Sequence, residues 1–202
     1  MQFNLDEAIE KIKNNKDFLE LKDIIENNRG HNNESVYDHC VATLDRMRQI
    51  LKGRNIANTK AKEEFEKFLN QTVGGIFKKD LLSLAALLHD VGKANTNKKN
   101  PDGTTSAPNH GYWGSTIVPQ LTKELNLSED ALEYISGIVR FHMGPLKDWQ
   151  TTAELMEEVK KGAQNFYVEV LLLLLADAFN HPNFQSHKPM IIEVLNNPRF
   201  YS

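Results

Sequence analysis

Apolar residues recur along this chain at three- and four-residue intervals, the spacing of a helix with one buried face. Leu5, Ala8, Ile9 and Ile12 share a face, and Phe18, Leu21, Ile24 and Ile25 form a second stripe that Gly30 is expected to cap. A third helix is predicted from about Glu34 to Lys52, striped by Val36, Cys40, Thr43, Leu44, Met47 and Leu51 and stopped by Gly53. Phe65, Phe68 and Leu69 mark a shorter fourth helix, and a fifth covers about Lys79 to His89, with Gly92 as the stop. Residues 92–108 are polar and rich in turn formers, which predicts a loop.

Helix resumes near Asn109 and is expected to reach about Asn126, with a bend at Pro119. Ser128 reads as the N-cap of the next helix, closed by Gly144 and Pro145. Thr151 and Glu154 have capping-box spacing. The last long helix is predicted over about Asn165 to Phe179 and is apolar nearly all round, which marks it as central. No convincing strand pair and no internal repeat stands out. The fold class is therefore all-α, a compact helical bundle, and residues 1–202 read as a single domain.

Length and composition fit that picture. The chain has 202 residues, 40% hydrophobic and 25% charged, which is ordinary for a globular protein with a real core. The net charge is -3, from 24 basic and 27 acidic residues, so wholesale wrapping of nucleic acid is not expected. The single cysteine, Cys40, excludes an intrachain disulfide and reads as a small buried side chain. The start of the chain lacks a signal-peptide pattern, and the longest apolar run, Val170 to Ala176, is far below the roughly 18 residues of a membrane span. A cytoplasmic protein with no membrane partner is the expectation.

Some polar residues sit where the pattern calls for core. His39 lies in the third helix. His89 and Asp90 end a helix whose preceding run, "LLSLAALL", is apolar. His110 opens a helix after the polar loop, and His142 ends "YISGIVRFHM". Asp177 lies in "VLLLLLADAFN", where an uncompensated carboxylate is costly. Imidazole and carboxylate together suit zinc, iron, manganese and nickel. Neighbouring helical residues point about 100° apart, so the natural arrangement puts His89 on one ion while Asp90 bridges to another.

The series His39, His89-Asp90, His110, His142, Asp177 resembles the ligand order of the HD superfamily of metal-dependent phosphohydrolases. The carrying phrases are "LAALLHDVGK", "NHGYWGS" and "IVRFHMGPL". They look closest to the HD domain of bacterial CCA-adding tRNA nucleotidyltransferases and its stand-alone relatives. The resemblance covers about residues 35–180 and leaves an N-terminal helical extension. It implies a helical bundle around a site for one or two divalent ions (Mn, Fe, Ni, Zn or Mg). His39, His89, Asp90 and Asp177 would hold the first, and Asp90 would bridge to a second held by His110 and His142.

By the same resemblance Lys93 would face a substrate phosphate, and Asp90 and Lys93 are the catalytic candidates. The implied activity is hydrolysis of a phosphomonoester or phosphodiester through a metal-activated water. The implied substrates are a nucleotide, a cyclic nucleotide or a related small phosphate ester, with an RNA end also admitted. A di-iron oxygenase and a nonenzymatic nucleotide- or RNA-binding protein are the alternatives.

The departures narrow this. The stretch before residue 35 is too short for a nucleotidyltransferase domain, so CCA addition is not expected. Gly92 and Lys93 follow the His-Asp pair, where the branch acting on guanosine tetraphosphate carries acids. The Gly-Tyr-Pro phrase of the cyclic-dinucleotide branch is missing. His31, His181 and His187 read as surface or loop residues, and Lys98 and Lys99 as solvated loop lysines. Arg140 is divided between a phosphate and a core acid, Asp148 and Trp149 are guessed as pocket wall, and Asp38 is not expected to orient His39. Nothing in the sequence sets the oligomeric state.

Overall fold

Side-chain caps set many of the helix starts. The computed structural model describes residues 3–28, 32–143, 151–178 and 187–201. Asn4 accepts from the Glu7 amide and opens α1 (Leu5–Lys13), and Asn15 does the same for the single-turn α2 (Lys16–Leu19). A 3-10 turn, Glu20–Asp23, leads to β1 (Ile25–Asn27), which pairs antiparallel with β2 (Asn32–Ser35). Ser35 then accepts from the Asp38 amide and begins α3 (Val36–Ile50). Asn58 caps α4 (Thr59–Leu69). The short pair β3 (Thr72–Val73) and β4 (Ile76–Phe77) leads into α5 (Lys78–Leu88).

After the His89-Asp90 turn come α6 (Lys93–Thr96) and the hairpin of β5 (Lys98–Lys99) and β6 (Thr105–Ser106). Helix α7 (His110–Leu121) carries Pro119 near its end, and a 3-10 turn, Lys123–Leu125, follows. Ser128 caps α8 (Glu129–Phe141) through the Ala131 amide. Thr151 and Glu154 form the expected capping box of α9 (Thr152–Ala163). Then come α10 (Tyr167–Asp177), α11 (Lys188–Leu195) and a closing 3-10 turn, Pro198–Tyr201.

The architecture is an all-α bundle, as the periodicity predicts. Every residue of α5 from Leu81 to Leu88 is buried, and so is α10 from Val168 to Ala176. These two helices are apolar nearly all round, Ser83 and Glu169 excepted, because other elements cover every side. Helix α3 packs against both, and α8 packs on α5 and, most extensively, on α7. Four helix ends carry polar residues to one region: the C-terminal ends of α5, α8 and α10, and the N-terminal end of α7. Among the described residues no helix is long and apolar enough to cross a membrane.

The structure corrects the sequence reading in several places. Strand pairs do exist, but with two to four residues each they are too short to show a period-two pattern. Ile24 and Ile25 leave the helical stripe, and Ile25 is 46% exposed on β1. Helix α3 starts two residues later than predicted, because the Ser35 side chain caps it. The loop of residues 92–108 contains a helical turn and a hairpin, so Lys98 and Lys99 are exposed strand residues. The long helix before Phe179 starts at Tyr167 and is followed by α11. Gly30, Gly144, Pro145, Asp148, Trp149, Phe179, His31 and His181 lie outside the described residues.

Candidate metal centre

Two three-residue groups meet where the helix ends converge. In the first, one donor atom each from His39, His89 and Asp177 lies within 4.8 Å of the others. In the second, Asp90, His110 and His142 meet the same limit. The Asp90 carboxylate lies between them. Its Oδ2 is 3.2 Å from His89 Nε2 and 3.6 Å from His39 Nε2. Its Oδ1 is 3.1 Å from His110 Nε2 and 3.6 Å from His142 Nε2. All six residues expected from the sequence are therefore brought together, with one Asp90 oxygen facing each histidine pair.

The backbone prepares three of the imidazoles as ligands. Nδ1 of His89, His110 and His142 lies 2.9, 2.7 and 2.7 Å from the carbonyls of Ala86, Ala107 and Val139. A carbonyl only accepts, so each Nδ1 carries a proton and each ring turns its Nε2 inward. This is how ligand histidines are normally held by outer partners. His89 Nε2 is fully buried and makes no hydrogen bond. An orphan of that kind costs on the order of 1–3 kcal/mol unless something else satisfies it. A divalent cation would satisfy it, so the donor set and its geometry fit a metal.

His39 is held differently. Its Nε2 is 2.7 Å from Asp177 Oδ1, and its Nδ1 is 3.5 Å from Glu34 Oε2. Glu34 was not expected at the site. Asp38, one residue before His39, instead accepts from the Ser35 hydroxyl at the helix cap, in keeping with the sequence reading. Arg46 donates to the Ala176 carbonyl at 2.5 Å and so holds the end of α10 beside Asp177. Cys40 is fully buried and belongs to neither group, and burial pushes its thiol pKa up.

Charge at the site is strongly negative, and the imidazoles answer it. Burial opposes charge on His89, but Asp90 and Asp177 outweigh it and lift its pKa well above the usual imidazole value. His39 rises too, where Asp177 and Glu34 overcome burial. Burial lowers His142. It also works against ionised Asp90 and Asp177, yet the neighbouring His89, with Lys93 for Asp90 and His39 for Asp177, holds both well below the carboxylate range. Without metal the site therefore gathers protons where cations would sit.

Lys93 is neither on a solvated loop nor open to the surface. It is buried, and its Nζ lies 2.7 Å from Asp90 Oδ2 and 2.7 Å from Glu26 Oε2. Sequence reasoning missed Glu26, whose three-residue strand carries no periodic signal.

Glycines let the elements that carry these residues touch. A Cβ on Gly92 would stand 2.0 Å from the His110 carbonyl oxygen and 2.4 Å from the Gly114 nitrogen. A Cβ on Gly111 would stand 2.9 Å from the Arg140 carbonyl oxygen. The turn after Asp90 thus lies directly on the first turn of α7, and α7 directly on the end of α8. Arg140 itself sits 5.3 Å from the Tyr112 ring centroid. His187 precedes α11 as its N-cap.

A helical bundle with histidines and aspartates gathered near its helix ends defines a helical protein with two side-chain groups that could hold a metal. The HD domain model matches residues 36–180, most of the chain, and the protein belongs to that family. HD domains are in general metal-dependent hydrolases that bind divalent ions. No curated protein matches the chain.

Proposed function

We propose that this protein is a metal-dependent phosphohydrolase that cleaves a phosphomonoester or phosphodiester of a nucleotide, cyclic nucleotide or related small molecule. The observation that carries the reading is Asp90, a buried carboxylate with one oxygen toward His39 and His89 and the other toward His110 and His142. That disposition suits a bridge between two ions. His39, His89, Asp90 and Asp177 would hold one, and Asp90, His110 and His142 the other. Bound divalent ions (Mn, Fe, Ni, Zn or Mg) would supply Lewis acidity toward a phosphoryl oxygen and an ionised water at neutral pH.

The chain's own residues do the rest. The three Nδ1–H···O=C bonds keep the inward nitrogens aimed without reorganisation. Lys93 spends two of its three N–H donors on Asp90 and Glu26 and keeps one for a substrate oxygen. Ser, Thr and Cys nucleophiles are not needed. The phrase "IVRFHMGPL" supports placing the protein near the stand-alone relatives of the HD domain of CCA-adding enzymes. A cytoplasmic enzyme acting on soluble nucleotides or RNA ends is the setting we propose.

The test is phosphate or nitrophenol release by protein reconstituted with each of the five metals. The panel covers generic mono- and diesters, 2′,3′-cyclic nucleotides and common nucleotides. Turnover that requires metal and vanishes in Asp90→Ala is expected. Metal-loaded protein that hydrolyses nothing, or that takes up oxygen instead, would overturn the reading.

A further inference from the structure

Large apolar side chains stand exposed beside the candidate metal centre. Tyr112 and Trp113 are 49% and 46% exposed, and Met143 is 40% exposed. Tyr112 and Trp113 belong to the first turn of α7, which His110 opens, and Met143 directly follows His142. These two segments touch: a Cβ on Gly111 would stand 2.9 Å from the Arg140 carbonyl oxygen and 3.4 Å from His142 Nδ1. Core packing does not account for the two rings, because the inward face of α7 is already made by His110, Gly111, Gly114, Val118 and Leu121. Single exposed apolar residues are ordinary, but adjoining ones mark a surface that binds something.

The rings are also held in place. Arg140 is exposed on α8, and its guanidinium lies 5.3 Å from the Tyr112 ring centroid. The Tyr112 and Trp113 centroids are 5.6 Å apart, with their planes at 80°. A cation over one ring and an edge-to-face contact between the two are both attractive. They make a preorganised aromatic ledge, with a positive charge on the same rim. A flat π surface of this kind suits a nucleobase, which stacks on aromatic rings whatever its identity. Trp113 stands about 4.5 Å of helix rise beyond His110, a step that a ribose bridges between a phosphate and its base. Rings set at 80° cannot stack on two successive parallel bases, so the ledge takes one. From this arrangement we propose that Trp113, with Tyr112 as the second wall, stacks the base of a free mononucleotide whose phosphate lies at the metal centre. This rests on the phosphohydrolase reading and narrows its substrate.

The experiment compares metal-loaded wild type with Trp113→Ala and Trp113→Phe. One readout is kcat/KM for 5′-AMP and for ribose 5-phosphate, which lacks the base. The expected result in Trp113→Ala is a loss of roughly tenfold or more on AMP, carried mainly by KM, with ribose 5-phosphate unchanged and AMP largely restored in Trp113→Phe. The second readout needs no turnover: adenosine is expected to quench the indole fluorescence of wild type but not of Trp113→Phe, in which Trp149 is the one tryptophan left. Equal losses on both esters, or a quench that persists in Trp113→Phe, would overturn the proposal. So would tetra-adenylate quenching at far lower concentration than AMP, which would assign the ledge to RNA. A dimer that dissociates on Trp113→Ala would assign it to a second copy of the chain and overturn the proposal as well. If wild type hydrolyses no ester, the phosphohydrolase reading falls while the adenosine quench still judges the ledge.

Discussion

His110 and His142 face each other with their Nε2 atoms 3.1 Å apart, while each ring's Nδ1 donates to a carbonyl three residues back. With no proton on either Nε2 the two lone pairs do not attract, and a cation between them, with Asp90 Oδ1 as the third donor, would hold the pair together. Removing one ring should therefore act locally. His142→Ala is expected to lose about half of the bound metal, while Asp90→Ala, which removes the carboxylate that faces both histidine pairs, loses all of it. Elemental analysis after gel filtration reads this directly. Full occupancy in Asp90→Ala would sink the shared-carboxylate assignment.

The pKa directions give a pH dependence with a definite sign. His39 and His89 stand above their unfolded value of 6.5, so the stability they give the metal-free protein is complete below that value and is lost as pH rises through the folded pKa. Asp90 and Asp177 stand below 3.8, so their contribution holds above that value and fades as pH falls through the folded pKa. A metal must displace the imidazole protons. Its stabilisation should therefore grow from pH 6 to pH 8.5. Melting curves with and without manganese at both pH values test this, and a larger metal-induced rise in Tm at pH 6 would contradict it.

Gly92 should tolerate nothing larger. Its backbone φ of -67° suits any residue, so the need is space rather than conformation. Gly92→Ala would press a methyl group into the His110 carbonyl and the Gly114 amide, both of them backbone. Overpacking of this sort costs about 1–3 kcal/mol or more. Because the displaced residue is His110, metal affinity should fall along with stability. A variant with wild-type Tm and metal content would show that the contact is soft.

The six site residues were legible because each stands at the end or on the inner face of a strongly periodic helix, where a polar residue breaks the pattern. His89, after eight buried residues of α5, is the plainest case. Glu26 and Glu34 were not legible. They lie on strands of three and four residues, and Glu26 reaches Lys93 across 67 positions of sequence. The close approach at Gly92 was hidden too, since the sequence showed only a helix stop. Local pattern reveals which face of an element is inward, but not which distant backbone will lie against it.

The Glu26–Lys93 pair should be strongly coupled in stability. Both side chains are buried and 2.7 Å apart, so neither charge can turn to bulk water when the other is removed. Breaking a buried pair from one side typically costs about 3–5 kcal/mol, whereas replacing both partners by apolar groups is often close to neutral. Glu26→Leu alone and Lys93→Met alone are each expected to be destabilising, with the double variant well short of their sum. Lys93→Met carries a further expectation, because Lys93 also contacts Asp90 Oδ2 without belonging to either histidine group. Metal content should survive that substitution while turnover falls. Urea unfolding of the four proteins gives the coupling energy, and elemental analysis gives occupancy. Additive single effects would mean that the pair contributes no interaction energy, and metal loss in Lys93→Met would make the lysine a structural support of Asp90.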